Sequence, residues 1–494
     1  MAPHTLDSLP PEILDNISWH LTTPELGALR LTCKEIEAKL FEPFAVEYFT
    51  TKQFMLSTFS LQALVDISRH PNLGPRMKKV ILSTDTVAPP HRSQLAHRHN
   101  LNPVEAASVA AHFKHFEDQE RLRQLGDDVA LLSTAFGHLG SRCTVIELRD
   151  YNSRMRKRDN CSWRSYGAPT IQRETGSNCR VDEPVHERLF RVVLTAMERS
   201  GHTFHEFETN FRSHLSNVTR SRLTGSVGAV PLSALLFSSS RQESTRTALK
   251  QLEVLRLALE VEDPGHTAGL LPHDDSILAE PLQNFLSFTP NLTQFRLNLQ
   301  FCQGAPQFFS HVGLNFSLPQ LSTFELGKTR IDEDSLVRLL KHFDTVTHLT
   351  IMKTTLHTGQ WDRIWDCLEK EMKLKSLSLS SLQVGPRGQP IPVGWKKKQE
   401  VESHEDVSIE IKLSGSEADY KKLQENLVVM DLAFHKSLHG GHGSDTESQF
   451  EDSLMDDDGE DDEGNDDEGN DDEGNDDEED DDEGDDYNAD GFIL

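Results

Sequence analysis

Between residues 249 and 379 leucines return at one spacing, and that spacing limits what the chain can fold into. Leu249, Leu252, Leu255, Leu257 and Leu259 follow L-x-x-L-x-x-L-x-L-x-L. Parts of it recur in Leu292, Phe295, Leu297 and Leu299, in Leu318, Leu321, Phe324 and Leu326, in Val346, Leu349 and Ile351, and in Leu374, Leu377 and Leu379. The anchors Leu257, Leu297, Leu326, Ile351 and Leu379 stand 40, 29, 25 and 28 residues apart. Alternating apolar positions read as strands. Helix-like segments lie between them at Ser276–Phe288, Glu333–Phe343 and Gln360–Met372, the second with Asp332 as candidate N-cap. One such unit cannot bury its apolar face alone, so neighbours must stack. The spacing therefore predicts an irregular strand–helix array. An ordinary α/β domain with parallel strands is the competing reading. Ile81 and Ile146 sit in similar fragments and are candidate early members.

Residues 6–43 carry a different period. Ile13, Leu14, Ile17 and Leu21 mark one helical face; Leu26, Leu29, Cys33, Ile36 and Leu40 mark another. Pro10 and Pro11 suit a first helical turn. Thr22 and Glu25 have capping-box spacing around Pro24, and Pro43 is expected to end the run. About forty residues are too few to bury a good core alone. Apolar residues off the inward stripe, Leu9 and Leu31 among them, then need a partner surface.

The order and spacing of Leu9, Pro10, Glu12, Ile13, Leu14 and Ile17, then Leu21, then Leu26, Leu29, Arg30, Leu31, Cys33 and Lys34, resembles an F-box. The end of the motif departs from the family: Ile36, Phe41 and Phe44 stand where many members carry a Trp. With the leucine spacing, the chain is similar to fungal-type F-box proteins with irregular leucine-rich repeats. The resemblance implies a mixed α+β or α/β chain: a three-helix F-box (1–45), linking helices, strand and basic loop (46–183), a leucine-rich-repeat-like solenoid that binds substrate (184–434) and a disordered acidic tail (435–494). It implies a partner, the adaptor of an SCF-type cullin–RING ubiquitin ligase and through it the cullin. Leu9, Pro10, Glu12, Ile13, Leu14, Ile17, Leu21, Leu26, Leu29 and Leu31 would make that contact, and the repeats would hold a protein substrate not named by the sequence.

Charge is segregated. The chain carries −30 overall, but from Asp445 onward there are 28 Asp and Glu and no Lys or Arg, which leaves 52 acidic and 50 basic residues elsewhere. The body is near neutral, so no protein-wide field favours nucleic acid. Asp-Asp-Glu-Gly-Asn repeats three times from 461 to 475, a composition that repels itself and is expected to stay disordered. Such a tail could hold a basic protein, and a non-catalytic scaffold or chaperone-like role on that client is the second functional class.

Other segments are read as follows. A helix is expected near Leu61–Ser68, a strand at Val80–Leu82, helices within 103–139, a strand at Val145–Leu148 and a helix over 184–200. Between 149 and 183 the pattern is lost. The run Arg154-Met155-Arg156-Lys157-Arg158, with Tyr151, Trp163 and Tyr166 nearby, could be an import address or a phosphate patch, and a solvated loop is the favoured reading. Alternation at Val407, Ile409, Ile411 and Leu413 predicts a closing strand, followed by a helix over Ser416–Phe434. His97 and His99 have no third and fourth ligand at credible spacing, so an exposed loop is expected, and His435, His439 and His442 sit among glycines without carboxylate geometry, so a mobile linker is expected there. The six cysteines form no Cys-x-x-Cys pair, so reduced thiols and a cytoplasmic or nuclear location are expected. The N-terminal residues lack signal-peptide character, and no membrane span is expected. With no nucleotide, hydrolase or metalloprotease signature, the chain reads as a binding protein, with no catalytic residues and no cofactor.

Overall fold

The structure is a computed structural model. It describes residues 5–90, 102–156, 158, 161–179, 185–211, 229–261, 280–299, 305–312 and 316–385, with short strands at 389–390, 393–394, 409–412 and 428–429. The chain is mixed helix and strand, built on a sheet in which ten strands run parallel.

Three helices open it: α1 (Pro11–Ser18), α2 (Thr23–Leu31) and α3 (Lys34–Phe49). α2 has the expected capping box, with the Thr22 amide donating to the Glu25 carboxylate at 2.8 Å. Pro43 does not end the run; α3 continues through it. An interior proline costs a helix about 3 kcal/mol. Here the turns beyond it bury Ala45, Tyr48 and Phe49. Phe44 packs on Tyr48 and Phe49, with the Arg30 guanidinium 3.3 Å above the Phe44 ring. Each fully buried large apolar side chain contributes about 1.5–3 kcal/mol, enough to offset the proline.

From α3 the backbone passes directly into the first strand, and the sheet then grows in chain order. Its strands are β1 (Thr51–Met55), β2 (Lys79–Ser83), β3 (Val145–Arg149), β6 (Glu206–Asn210), β8 (Val254–Glu260), β9 (Gln294–Asn298), β10 (Thr323–Ile331), β11 (His348–Leu356) and β12 (Ser376–Val384), each parallel to the next. A two-residue β7 (Val230–Pro231) pairs with β8. The expected closing strand is present as β15 (Ile409–Lys412), antiparallel on β12. A hairpin, β4 (Ser153–Arg156) with β5 (Cys161–Trp163), stands outside the sheet within the segment where the sequence pattern was lost.

One register runs across the array. Val80, Ile146, Phe207, Leu255, Phe295, Phe324, Leu349 and Leu377 form a single row, and each is buried. The five anchors read from the sequence form a second: Leu257, Leu297, Leu326, Ile351 and Leu379. Every junction also repeats one hydrogen-bond device. The carbonyl just before a strand accepts two amides from the start of the next, so Thr50 O takes Lys78 N and Lys79 N at 2.9 and 3.1 Å, and Thr347 O takes Lys375 N and Ser376 N at 2.6 and 3.1 Å. Lys78, Thr144, His205, Glu253, Thr293 and Ser322 do the same between them. β3 pairs directly with β6, so one sheet includes strands on both sides of the expected start of the repeat region.

Crossovers between parallel strands are right-handed, so strands added in one direction send their helices to one face. The helices α4 (Thr58–Arg69), α5 (Pro103–Leu125), α6 (Asp127–His138), α7 (Ala168–Thr175), α8 (Val185–Ser200), α9 (Ser239–Leu249), α10 (Glu280–Ser287), α11 (Ala305–His311), α12 (Glu333–His342) and α13 (Trp361–Lys370) supply the connections. Neighbours in the series pack together: α4 on α6, α6 on α8, α8 on α9, α12 on α13. Leu194, Phe285, Leu336 and Ile364 meet the apolar rows in one core that reaches from Leu14 to Leu382.

The expected helix over Ser416–Phe434 is not found where it is described: Val428–Val429 pair as a strand with Val393–Gly394. Its remaining residues, the histidines at 97, 99, 435, 439 and 442, and the acidic tail lie outside the described residues.

Candidate functional site

Two surfaces remain once the core is assigned. The first is the outside of the N-terminal helices. Leu14 and Leu26 lie in the core and hold the three helices together. Leu9, Ile17, Leu21 and Leu29 are half-buried, and all but Ile17 pack on the core edge. Pro10 and Glu12 are exposed, and Ile13 and Leu31 are 45% and 78% exposed. Trp19, which the sequence reading did not single out, is 56% exposed at the end of α1. The predicted set thus divides between scaffold and surface. Leu31, the last residue of α2, is five residues past the inward-facing Leu26, about 140° round the helix from it, and so stands outward.

The second surface is the polar face of the sheet. Its central row reads Gln53, Ile81, Glu147, Glu208, Arg256, Arg296, Glu325, Thr350, Ser378. Two carboxylates in it are almost fully covered, Glu147 at 1% and Glu208 at 3% exposure. Cations enclose them. Lys79 Nζ lies 2.6 Å from Glu147 and 3.3 Å from Glu208. Arg149 grips Glu147 with two donors at 3.0 and 2.8 Å, Asn210 adds a third at 3.1 Å, and Arg256 pairs with Glu208. Burial alone would push the Glu147 carboxyl up, but Arg149 and Lys79 outweigh it and hold it below the usual range. Likewise burial pulls the Lys79 ammonium down, and Glu147 and Glu208 reverse that and raise it. Further along, Arg296 pairs with Glu325. Nothing in the sequence marked these groups: Val145–Leu148 reads as an ordinary strand, and Glu-Phe-Glu-Thr-Asn carries no strand signal.

At the β1 end this face is covered. Gln53 donates to the Ser165 hydroxyl at 3.0 Å and to the Tyr151 carbonyl at 3.2 Å; Ser165 in turn bonds Ser83 at 2.6 Å and also Asp85. The Tyr166 amide donates to Gln53 O at 2.9 Å, which shields the free edge of β1. A recess of about 440 Å³ opens beside α3, lined by Ala38, Phe41, Pro71, Asn72, Pro75, Arg76 and Arg142. Those side chains hold no nucleophile or general base.

Among the described residues no group of His, Cys, Asp and Glu is arranged to hold a metal ion, and no helix is long and apolar enough to cross a membrane. The buried Cys143 and half-buried Cys179 thiols are pushed up to about 12 by burial, so neither is activated as a nucleophile.

These features define a mixed helix–strand protein whose long parallel sheet carries a polar face and begins from a small helical unit with uncovered apolar side chains. No known family model matches the chain, and no curated protein matches it either.

Proposed function

We propose that this chain is the substrate-recognition subunit of an SCF-type cullin–RING ubiquitin ligase. In this reading the N-terminal helices are an F-box that docks on the adaptor, and the sheet is an irregular leucine-rich-repeat-like solenoid whose polar face selects a protein target. The observation that carries the reading is the division within the N-terminal helices. Leu14 and Leu26 complete a core, yet Ile13 and Leu31 are left exposed beside Glu12 and Pro10. Large apolar side chains exposed on so small a unit point to a protein partner. The chain would supply proximity: holding a target beside the charged conjugating enzyme raises the effective concentration of its lysines, and bond formation belongs to other subunits.

The test is affinity purification of the full chain against an Ile13→Asp/Leu31→Asp variant. Both positions are exposed, so thermal stability should change by about 0.5 kcal/mol or less per site. Adaptor and cullin recovered with the wild type and lost with the variant support the reading. Their absence from the wild type sinks it. If deletion of residues 443–494 instead removes the main partner, the acidic tail and a basic client become the better account.

A further inference from the structure

In sequence the basic run at 154–158 has the character of a solvated loop, with a phosphate patch or import address as the alternatives. Arg158 fits none of these. Its side chain is 2% exposed. Nε and Nη2 form a fork on the Glu47 carboxylate at 3.1 and 2.9 Å, anchoring it to α3. Nη1 donates to Ser18 O, the last residue of α1, and to Leu21 O at 2.8 Å. The guanidinium carbon lies 5.6 Å from the centre of the Trp19 ring.

Each contact has a physical reason. Ser18 O ends α1, where carbonyls have no partner within the helix and carry partial negative charge, and Leu21 O lies in the turn that follows. A guanidinium presents several donors in one plane, so it can serve a carboxylate and two carbonyls together, which an ammonium cannot do with the same geometry. Arg158 also arrives from outside the helices. Its segment leaves the sheet at Arg149, whose guanidinium lies 4.8 Å from the Tyr151 ring centre, and returns to the β1 edge at Ser165 and Tyr166. One side chain therefore ties α1, α3 and the α1–α2 turn to a residue that lies in the chain between Arg149 of β3 and Tyr166 at the β1 edge.

We propose that Arg158 is a positioning residue that fixes the N-terminal helices against the β1 end of the sheet. It sets the separation and angle between the exposed apolar side chains of α1 and α2 and the polar face of β3–β12. The positioning role does not depend on what binds either surface. Its consequence for ubiquitin transfer rests on the function proposed above.

Hydrogen exchange on the full-length chain tests it, with Arg158→Ala, Arg158→Lys and Glu47→Gln. For Arg158→Ala, amides of residues 14–31 are expected to exchange at least about tenfold faster, with β2, β3 and β6 unchanged. Arg158→Lys should restore part of the protection and Glu47→Gln should lose part of it. Unchanged exchange over 14–31 overturns the proposal. So does a rise spread evenly over the sheet, which would make Arg158 a general stabiliser. Glu47→Gln keeps the shape of the site, so the question is answered even if Arg158→Ala does not fold. In a reconstituted ligase, Arg158→Ala should slow transfer to a bound target several-fold while leaving the adaptor and target dissociation constants within about twofold. Should no adaptor bind the wild type, the functional reading fails and the exchange result still decides the positioning role.

Discussion

The two ends of the sheet solve one packing problem with different chemistry. Over β3–β8 the central row of the polar face is charged, with Glu147 and Glu208 buried beneath Lys79, Arg149 and Arg256. Over β11–β12 the same row holds Thr350 and Ser378, short neutral side chains that remain half-exposed. The late strands are instead shaped by their backbone. Lys328, Lys353 and Ser381 take positive φ values of 48°, 45° and 49°, directly after the registered residues Gly327, Met352 and Ser380. Three consecutive strands bend at one level, and the chain turns inward to bury Thr329, Thr354 and Leu382. No other non-glycine residue among those described has positive φ. Buried charge holds one end, and a column of bends holds the other.

The largest effect should come from breaking the charged end. Glu147→Leu leaves Lys79 and Arg149 short of a carboxylate in a covered site, and removing one partner of a buried pair costs about 3–5 kcal/mol. Thr350→Leu, in the same row, should stay within about 0.5 kcal/mol. Urea denaturation of both variants measures the contrast, and equal losses would erase it.

Acid should also act on the early half. His186, at the start of α8, is 3% exposed; neither ring nitrogen has a hydrogen-bond partner among the described residues, and it packs edge-on against Phe211. Burial lowers its pKa to about 4. As pH falls below the unfolded value of about 6.5, the unfolded chain takes up the proton first, so stability drops between there and pH 4. Between pH 7.5 and 5 this group accounts for roughly 2 kcal/mol, at about 1.4 kcal/mol per pH unit. His186→Leu should therefore lose roughly that much less over the same interval in thermal melts. An unchanged acid loss would place the sensitivity elsewhere.

Much of the late half was legible because its strands alternate cleanly and their anchors are aliphatic. All five anchors fall in one row. The early half was less so. β6 reads Glu-Phe-Glu-Thr-Asn and β1 reads Thr-Lys-Gln-Phe-Met, too polar to signal a sheet strand. Their polar residues are stabilised by partners distant in sequence: Glu208 by Lys79 and Arg256, Gln53 by Ser165. Local pattern carries apolar burial, whereas paired burial depends on both partners at once. The N-terminal surface shows the same limit. Helical period put Leu26 on the inward stripe and Leu31 off it, as the structure has them, but it also put Leu9 off the stripe, and packing half-buries Leu9 against the core edge.

The bends offer two smaller tests. An added Cβ at Gly327 would lie 2.4 Å from Asn298 Oδ1 and 3.0 Å from Met352 Cγ. Asn298 is itself buried, so little room exists to move aside. Overpacking of this kind costs about 1–3 kcal/mol, part of it returned by the lower entropy of unfolded alanine, so Gly327→Ala should lose about 1 kcal/mol.

Lys353→Gly should act in the opposite sense. A left-handed backbone costs an ordinary residue about 1–2 kcal/mol, and glycine is free of that strain. Glycine also loses more chain entropy on folding, about 0.5–1 kcal/mol, so the net gain is about 1 kcal/mol or less. A rise of about 2 °C or less in the melting temperature is the expected result. The same exchange at Thr350, three residues earlier in an extended strand, lacks the strain and should only destabilise. If both glycines lower stability alike, the bend at Lys353 carries no strain, and what distinguishes the late half is its side-chain packing alone.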